Sequence, residues 1–336
     1  MKNVTVAMSG GVDSAAACAM LKEKGYNVRG ATMRLGVEND ADIEAAHLVC
    51  DTLGIDFEVY DFRELFKERV INPFCKNYIE NRTPNPCINC NIDLKFGAFA
   101  ARAFETGADM IATGHYARIE NGTLLKAKNK EKDQSYVLYG IQKNILSRVL
   151  FPLGDFESKD EVRAYVEKFS LPCAKRPESQ DICFIPDGDY AKFLECNGYT
   201  TPKGQFVDTN GTVLGCHLGC HRYTIGQRRG LGVSAGKRIF VVEKRLCDNT
   251  VVLGDEVDLY KNEILCTDVN FLCDVSFPLT AEVKTRYRKN ANEAVIEKVD
   301  EKTVKCTFTS PERAPCPGQS AVFYDGERVL GGGIIV

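Results

Sequence analysis

Short apolar runs alternate with helical patterns through the first half of this 336-residue chain. Runs at 4–8, 28–35, 57–60 and 110–113 predict strands, and the stretches 14–24 and 40–53 predict helices that end before a glycine. Strands joined by helices of this length pair in parallel, with helices on both faces of the sheet. The first half is therefore predicted to be an α/β domain built on a parallel sheet.

Hairpin signals replace this alternation in the second half. Asn210-Gly211 and Asp325-Gly326 separate apolar runs, as Asn121-Gly122 does earlier, and such dipeptides favour tight hairpin turns because both residues tolerate positive φ. From about residue 264 onward, apolar and polar side chains alternate with the period of a half-buried strand. We predict an α/β domain over 1–186, a small glycine-rich central domain over 187–246, and an all-β barrel over 247–336.

The composition is that of a globular protein, with 44% hydrophobic and 26% charged residues, which excludes collagen-like and disordered chains. The 15 cysteines are odd in number and widely spread, so reduced thiols and a cytoplasmic location are expected rather than a disulfide scaffold. No apolar run approaches the roughly 18 residues of a membrane span, so no membrane partner is predicted. The formal net charge is −3, so a nucleic acid would have to bind a local basic patch.

A glycine-rich loop, Ser9-Gly10-Gly11-Val12-Asp13-Ser14, follows the first predicted strand. Its glycines allow a tight turn, and the helix N-terminus behind it offers unpaired N–H groups to an anion. The serine hydroxyls add donors, and Asp13 is placed to bind Mg²⁺ that shields phosphate charge. The loop lacks the lysine of a Walker A motif and the spacing of a dinucleotide fingerprint. It predicts a phosphate site of another class, the alternative being a turn that binds nothing.

Two cysteines, Cys87 and Cys90, follow the prolines at 84 and 86. Apolar residues recur at helical spacing from 92 to 103, so Cys90 is predicted just before a helix N-terminus, where the helix dipole lowers a thiol pKa. The residues alone leave three alternatives: half of a structural zinc site, a redox pair, or a catalytic Cys90 with a distant partner. Cys183 is the candidate partner, although its apolar neighbours are also typical of a cysteine in a buried strand.

Eight motifs, taken in order, resemble those of the tRNA-specific 2-thiouridylases, and the loop at 9–14 resembles the pyrophosphate loop of N-type ATP pyrophosphatases. The motifs are the loop itself, Asn85-Pro-Cys-Ile-Asn-Cys-Asn91, Ala112-Thr-Gly-His-Tyr-Ala-Arg118, Lys132-Asp-Gln-Ser-Tyr136, Ser179-Gln-Asp-Ile-Cys-Phe-Ile185, Tyr223-Thr-Ile-Gly-Gln-Arg-Arg-Gly-Leu-Gly232, Arg286-Tyr-Arg288 and Gly331-Gly-Gly-Ile-Ile335. The resemblance runs essentially end to end. It implies an ATP pyrophosphatase domain with an adenine nucleotide alpha-hydrolase-like fold, a central tRNA-binding domain and a C-terminal β-barrel.

The resemblance also implies an activity, the ATP-dependent 2-thiolation of the wobble uridine of tRNA. In this family ATP, with Mg²⁺, adenylates the uridine 2-oxygen, and a cysteine persulfide supplies the sulfur as AMP and pyrophosphate are released. A sulfur-donor protein, either a persulfide relay or a cysteine desulfurase, is the implied partner besides tRNA. The target base has to leave its stack in the anticodon before C2 can react.

Site residues follow from the resemblance by position. Cys90 is the nucleophile and Cys183 carries the persulfide, and a Cys90–Cys183 disulfide is the spent state. The residues assigned to ATP are Ala7, Met8, Ser9, Gly10, Gly11, Val12, Asp13, Ser14, Met33 and Gly114. Those assigned to the target base are Asn85, Pro86 and Cys87, and those assigned to tRNA are His115, Lys132, Asp133, Gln134, Arg286, Tyr287 and Gln319.

Position 87 departs from the family pattern, since many relatives carry aspartate where this chain has Cys87. A carboxylate there can transfer protons, whereas a thiol does so efficiently only if its pKa lies near neutrality. The substitution also offers three cysteines, Cys87, Cys90 and Cys183, which would suit a [4Fe-4S] cluster with one open iron. A cluster route therefore stands beside the persulfide route as an alternative.

Positive charge is concentrated in two segments. Residues 217–250 have a net charge of +5 and residues 282–290 a net charge of +3, with histidine taken as neutral. Such segments favour phosphate binding, and Tyr223 and Tyr287 beside arginines favour stacking on bases. The alternative interpretation is a solvated charged face.

Two other functions remain open from the residues. An adenylating, amide-forming ligase that acts on a small molecule would share the loop but would not need paired thiols or basic segments. A non-catalytic metal- or RNA-binding module would not need the loop. His217 and His221, near Cys216 and Cys220, resemble a metal knot, but ligands this closely spaced chelate poorly, so zinc is not predicted there.

Overall fold

The computed structural model describes residues 1–37, 40–174, 182–234 and 236–336. The chain divides into two compact units. Unit 1 spans Met1–Val70, Cys87–Pro186 and Gly326–Leu330, and unit 2 spans Ile71–Pro86, Asp187–Asp325 and Gly331–Val336. None of the described helices is long and apolar enough to cross a membrane.

Unit 1 is built on a five-stranded sheet. Its strands are β1 (Asn3–Ala7), β2 (Asn27–Arg34), β3 (Phe57–Asp61), β4 (Met110–Ala112) and β7 (Val149–Leu150), and a hairpin of β5 (Ala117–Glu120) and β6 (Thr123–Lys126) precedes β7. The strand order is β3-β2-β1-β4-β7, and every neighbouring pair is parallel. The predicted α/β class and all four predicted strands are confirmed. The hairpin turn at Asn121 and Gly122 has φ values of 51° and 75°, as its dipeptide predicts.

The helices lie between these strands and in unit 2. They are α1 (Val12–Glu23), α2 (Asp40–Leu53), α3 (Arg63–Phe66), α4 (Asn72–Ile79), α5 (Pro86–Asn89), α6 (Ala100–Glu105), α7 (Lys159–Lys168) and α8 (Tyr190–Cys196). Alanines 15, 16, 17 and 19 of α1 are fully buried, because their small side chains let this helix pack closely in the core of unit 1.

A π-helical stretch, Cys90–Phe99, joins α5 to α6 in one continuous helical run. The sequence predicts that this helix begins after Cys90, but it begins at Pro86, because proline is well suited to a first helical position where no N–H partner is needed. Cys87 therefore lies in the first turn and Cys90 one turn further on. The predicted position of Cys90 before the helix N-terminus was wrong.

Unit 2 is dominated by β-structure. Four strands, β8 (Gly204–Asp208), β9 (Val213–His217), β10 (Phe240–Arg245) and β11 (Thr250–Gly254), form a sheet in the order β10-β11-β8-β9. The remaining strands are β12 (Tyr260–Phe271), β13 (Leu279–Lys284), β14 (Asn292–Lys298), β15 (Val304–Arg313), β16 (Ser320–Asp325) and β17 (Arg328–Ile335). Since β12 pairs with both β15 and β17, these strands close into a barrel, and the predicted small central domain and C-terminal β-barrel are confirmed.

Candidate active site

The predicted phosphate loop leaves the carboxyl end of β1 and leads into α1. Gly10 has a φ of 71°, a left-handed conformation that favours glycine. Ser14 Oγ donates to the Gly11 carbonyl at 3.1 Å and accepts from the Ser9 N–H at 3.2 Å. These bonds hold the loop in a fixed turn at the N-terminus of α1, which no described side chain caps. The backbone N–H groups there suit an anion.

The backbone that follows β4 closes on this loop. A Cβ atom at Gly114 would lie 2.7 Å from the Asp13 carbonyl carbon and 2.8 Å from the Ser14 nitrogen, so only glycine allows this approach. In β2, the Thr32 hydroxyl donates to the Met8 carbonyl at 2.8 Å, next to Met33. The structure thus gathers the residues predicted to bind ATP at the carboxyl ends of parallel strands, where α/β sheets bind ligands.

Two side chains that the sequence did not single out hold the Asp13 carboxylate. The Tyr116 hydroxyl donates to Asp13 Oδ1 at 2.8 Å, and the Lys159 ammonium forms an ion pair with the same oxygen. Gln134 positions Tyr116, since the Tyr116 N–H donates to Gln134 Oε1 at 3.0 Å. Tyr116 and Lys159 lie 103 and 146 residues from Asp13, and no local pattern in the sequence indicates either contact.

Three cysteines come together in unit 1. Cys87, Cys90 and Cys183 lie close enough for the charge of one thiolate to act on another. Cys90 is buried, whereas Cys87 and Cys183 keep solvent exposure, and all 15 cysteines of the chain are described as free thiols. The two cysteines proposed for catalysis are therefore brought together from positions 93 residues apart.

Cys183 lies in a turn. The Ile185 N–H donates to the Ile182 carbonyl at 2.8 Å, and the Phe184 ring packs edge-to-face on Phe66 with ring centroids 5.8 Å apart. Cys183 is an exposed residue of this turn, which Phe184 anchors to the core, so the alternative of a buried strand cysteine was wrong. Ser179, Gln180 and Asp181 of the same motif lie outside the described residues.

Loss of hydration raises the pKa of all three thiols. Although Cys183 is an exposed residue, partial burial of its thiol raises the pKa of Cys183 to about 12, and the neighbouring Cys90 and Cys87 thiolates add to this effect. Burial likewise raises the pKa of Cys90 and of Cys87. The predicted lowering of the Cys90 pKa by a helix dipole was wrong, because Cys90 is buried one turn inside the helix and desolvation outweighs the dipole there.

Lys95 opposes this rise in pKa at each of the three thiols. Its Nζ lies 3.3 Å from His115 Nε2, and His115 Nδ1 is 2.6 Å from the Thr113 hydroxyl. Burial, and then the Lys95 charge, hold the pKa of His115 well below its usual value, so the imidazole is neutral. The site therefore contains one ammonium beside three thiols and a neutral histidine.

The residues of unit 1 predicted to contact tRNA lie near this histidine in the chain. Asp133 Oδ1 accepts from the Ala127 N–H at 2.9 Å, and Oδ2 accepts from the Ser135 hydroxyl at 2.8 Å. Asp133 therefore organises its own loop, next to Lys132 and to Gln134, which holds Tyr116. Their predicted contacts with tRNA stay predictions.

In unit 2, Arg286 and Gln319 fasten loops to one another. Arg286 Nη2 donates to the Ile225 and Ala314 carbonyls at 2.9 and 3.0 Å, and Gln319 Nε2 donates to the Thr83 carbonyl at 2.6 Å. Tyr287 lies under the Lys284 ammonium, 5.7 Å from Nζ to the ring centroid. Arg286 also lines a pocket of about 530 Å³ within unit 2, together with Arg222, Tyr223 and Gln227.

The described residues form no site for a single metal ion. Among the residues that the structure describes, no group of three or more histidine, cysteine, aspartate or glutamate side chains is arranged to hold a metal ion. Cys87, Cys90 and Cys183 all belong to the described residues, and their predicted role as ligands of an iron–sulfur cluster stays a prediction.

The two histidines of the basic segment serve as hydrogen-bond partners. His221 Nε2 lies 3.1 Å from Glu195 Oε1, and its Nδ1 lies 2.9 Å from the Thr201 hydroxyl. His217 Nε2 lies 3.0 Å from the Asn249 carbonyl oxygen. Both imidazoles are buried and engaged with protein groups.

Comparison with known proteins identifies the family. Models described as the tRNA methyl transferase HUP domain, PRC-barrel domain and aminomethyltransferase beta-barrel domain match residues 2–187, 191–255 and 261–335. The tRNA-specific 2-thiouridylase MnmA of Clostridioides difficile is 43% identical over 354 residues, covering 99% of this chain and 98% of that protein. The chain belongs to the tRNA-specific 2-thiouridylase family. The relative of the same name from Caldicellulosiruptor saccharolyticus is 46% identical over 355 residues, with the same two coverages.

Membership of the 2-thiouridylase family confirms the resemblance that the sequence motifs indicate. The descriptions of the matching domain models mention methyl transferases or an aminomethyltransferase, whereas the relatives that match over the whole chain are named as 2-thiouridylases. They favour thiolation over the amide-forming ligase and over a non-catalytic module. A glutamine-dependent NAD+ synthetase from Acinetobacter baumannii, solved with ADP, is 12% identical, with a TM-score of 0.38, covering 52% of this chain and 32% of that one. We infer nothing from so weak a likeness.

Proposed function

We propose that this protein uses ATP to replace the C2 oxygen of the wobble uridine of tRNA with sulfur, and that Cys90 and Cys183 carry the sulfur chemistry. One observation carries the proposal: Cys90 and Cys183 lie close enough to affect each other's charge, and both belong to unit 1, which also contains the loop at 9–14. The full-length similarity to thiouridylases supplies the substrate and the reaction.

The first step activates the base. The uridine 2-oxygen attacks the α-phosphorus of ATP, the bond to the β-phosphate breaks, and pyrophosphate leaves a uridine with AMP on its 2-oxygen. The fixed turn of residues 9–14 and the N–H groups of α1 would bind the phosphates and stabilise their charge. Asp13, whose side chain is 36% exposed, provides a carboxylate that suits Mg²⁺, which would neutralise charge on the phosphates.

The second step transfers sulfur. The terminal sulfur of a Cys183 persulfide attacks C2, and AMP leaves with the former 2-oxygen, so that the base is joined to Cys183 through two sulfurs. The Cys90 thiolate then attacks Cys183 Sγ and the S–S bond to the base breaks. The electron pair stays on the base sulfur and gives 2-thiouridine, and a Cys90–Cys183 disulfide is left to be reduced before the next cycle.

The exposure of the two thiols supports this division of roles. A sulfur-donor protein has to reach the cysteine that receives the persulfide, and Cys183 is exposed whereas Cys90 is buried. Lys95 would favour the anionic form of both sulfurs. Burial favours the protonated form of the Cys87 thiol, and we propose that Cys87 contacts the target base.

The tRNA would contact the basic segments of unit 2. The pocket that contains Arg222, Tyr223 and Arg286 offers guanidinium groups and an aromatic ring, which suit phosphates and bases. No step is assigned to an iron–sulfur cluster, because the persulfide route accounts for the sulfur transfer with the two thiols alone.

The test combines the protein, ATP, a persulfide donor and unmodified tRNA, and measures thiolated nucleoside. Cys90→Ser and Cys183→Ser should each abolish the product. Cys216→Ser, which changes an exposed thiol in β9, should leave it unchanged. Full activity of either of the first two variants would contradict the proposal. If an anaerobic preparation contains iron with broad visible absorbance, and thiolated product forms only with that preparation, the cluster route is correct and the persulfide route is wrong.

A further inference from the structure

We propose that Lys159 is the residue that neutralises the β- and γ-phosphates of ATP at the loop of unit 1. This inference rests on the proposed function in one respect, namely that ATP is the ligand of the loop.

The loop itself provides no positive side chain. Residues 7–14 include no lysine or arginine, and their only charged group is the carboxylate of Asp13. In a Walker A motif, a lysine within the loop reaches the β- and γ-phosphates. Any positive side chain that contacts these phosphates alongside Mg²⁺ therefore comes from another part of the chain.

Lys159 is placed to be that cation. It is the first residue of α7, and its Nζ forms an ion pair with Asp13 Oδ1. The ammonium also lies 5.5 Å from the centroid of the Tyr116 ring, and the Tyr116 hydroxyl donates to the same Asp13 oxygen. Only 12% of the Lys159 side chain is exposed, so its ammonium stays at the loop and does not extend into solvent.

A bound polyphosphate would compete well for this ammonium. Pyrophosphate oxygens carry several negative charges, against one on Asp13, and an ammonium has three donors that can serve a carboxylate and a phosphate together. The flexible stem of lysine allows its head to turn from the carboxylate to the phosphates. Asp13 is then freed to accept a divalent cation, so that the ion pair keeps the empty loop neutral and opens when ATP binds.

Lys168 is a matched control on the same helix. It pairs with Glu23 at 2.9 Å, but its side chain is 60% exposed. Lys168→Met therefore removes the same charge and the same type of contact from the same helix, outside the loop.

The test measures dissociation constants for ATP, AMP and inorganic pyrophosphate by calorimetry, without tRNA. Lys159→Met should weaken ATP and pyrophosphate binding about 10- to 100-fold and leave AMP binding unchanged, because AMP lacks the two phosphates. Lys159→Arg should retain part of the affinity, and Lys168→Met all of it. Thermal unfolding of each variant, with Lys159→Gln as a second neutral variant, verifies that the protein is folded.

Two results would overturn the inference. If Lys159→Met binds ATP as tightly as the wild type, the lysine does not contact the phosphates. If ATP and AMP are weakened by the same factor, Lys159 has only a structural role through Asp13. A wild-type protein that binds neither ATP nor pyrophosphate would instead contradict the proposed function itself.

Discussion

Lys95 illustrates how one side chain sets the reactivity of a site. The Lys95 charge opposes the effect of burial on the thiols at 87, 90 and 183. Its removal by Lys95→Met should raise the pKa of Cys183 further and slow iodoacetamide alkylation at Cys183 near pH 8, because the thiolate fraction falls as the pKa rises. Alkylation rates at Cys183, followed by peptide mass spectrometry, measure this effect without any substrate.

The rate of Cys183 alkylation should increase with pH over a wider range than that of an ordinary thiol. Since the pKa of Cys183 is raised to about 12, its alkylation rate should keep rising with pH through about pH 10, whereas an ordinary thiol levels off near its pKa of about 8.5. Lys95→Arg keeps the positive charge and should preserve the wild-type rate. A Lys95→Met protein with an unchanged profile would show that Lys95 does not act on the thiol.

Some of these residues were predictable and others were not, for a physical reason. The loop at 9–14 was identified from its glycines and serines between a strand and a helix. The roles of Cys90 and Cys183 followed from the family resemblance, because the residues alone left alternatives open. Lys159 and Tyr116 contact Asp13 only after the chain has folded. Lys159 lies in none of the quoted motifs, and Tyr116 lies in the motif at 112–118, which does not show that its hydroxyl reaches Asp13. The rise in the thiol pKa depends on how deeply each thiol is buried. That burial depends on the folded structure and cannot be read from the residues next to each cysteine in the sequence.

The π-helical stretch Cys90–Phe99 contains both Cys90 and Lys95, whose charge acts on the Cys90 thiol. In an α-helix, residues three and four apart share a face, whereas π-helical hydrogen bonds connect residues five apart, which is the spacing of Cys90 and Lys95. The apolar spacing from Ile92 to Ala103 correctly predicted a helix but assumed the α-helical period. This is why the sequence did not associate Lys95 with the thiols.

Gly97 tests the importance of this geometry. Alanine in place of glycine inside a helix normally stabilises by about 1 kcal/mol. Here a Cβ at Gly97 would lie 2.8 Å from the Ile92 carbonyl oxygen, five residues earlier. Gly97→Ala should therefore lower the melting temperature and, by forcing the stretch towards α-helical geometry, slow alkylation of Cys183 as Lys95→Met does.

Ala101→Gly, at an exposed position of α6, is the comparison for Gly97→Ala. It should destabilise by about 1 kcal/mol through helix propensity alone and leave the alkylation rate unchanged. A higher melting temperature for Gly97→Ala would mean that the π-helical stretch is not required.

Across the whole molecule, charge is distributed unevenly. The formal net charge is −3, yet residues 217–250 carry +5 and residues 282–290 carry +3, so the rest of the chain is strongly negative. A polyanion such as tRNA would be repelled by most of the chain and attracted by these segments. Affinity for tRNA should therefore depend on the local contacts and fall steeply with salt, since each phosphate contact releases counterions.

Arg228 and Arg229, both exposed in the first basic segment, allow this to be measured. The double variant Arg228→Gln/Arg229→Gln should weaken tRNA binding and reduce the slope of log affinity against log salt by about 1 to 2, because up to two phosphate contacts are lost. Arg102→Gln/Lys298→Gln removes the same two charges at exposed positions outside both segments and should leave the slope nearly unchanged. If the two double variants lowered the slope equally, tRNA would respond to the overall net charge, and the basic segments would be solvated surface. If only the first pair lowered it, the segments bind the phosphate backbone despite the negative charge of the whole chain.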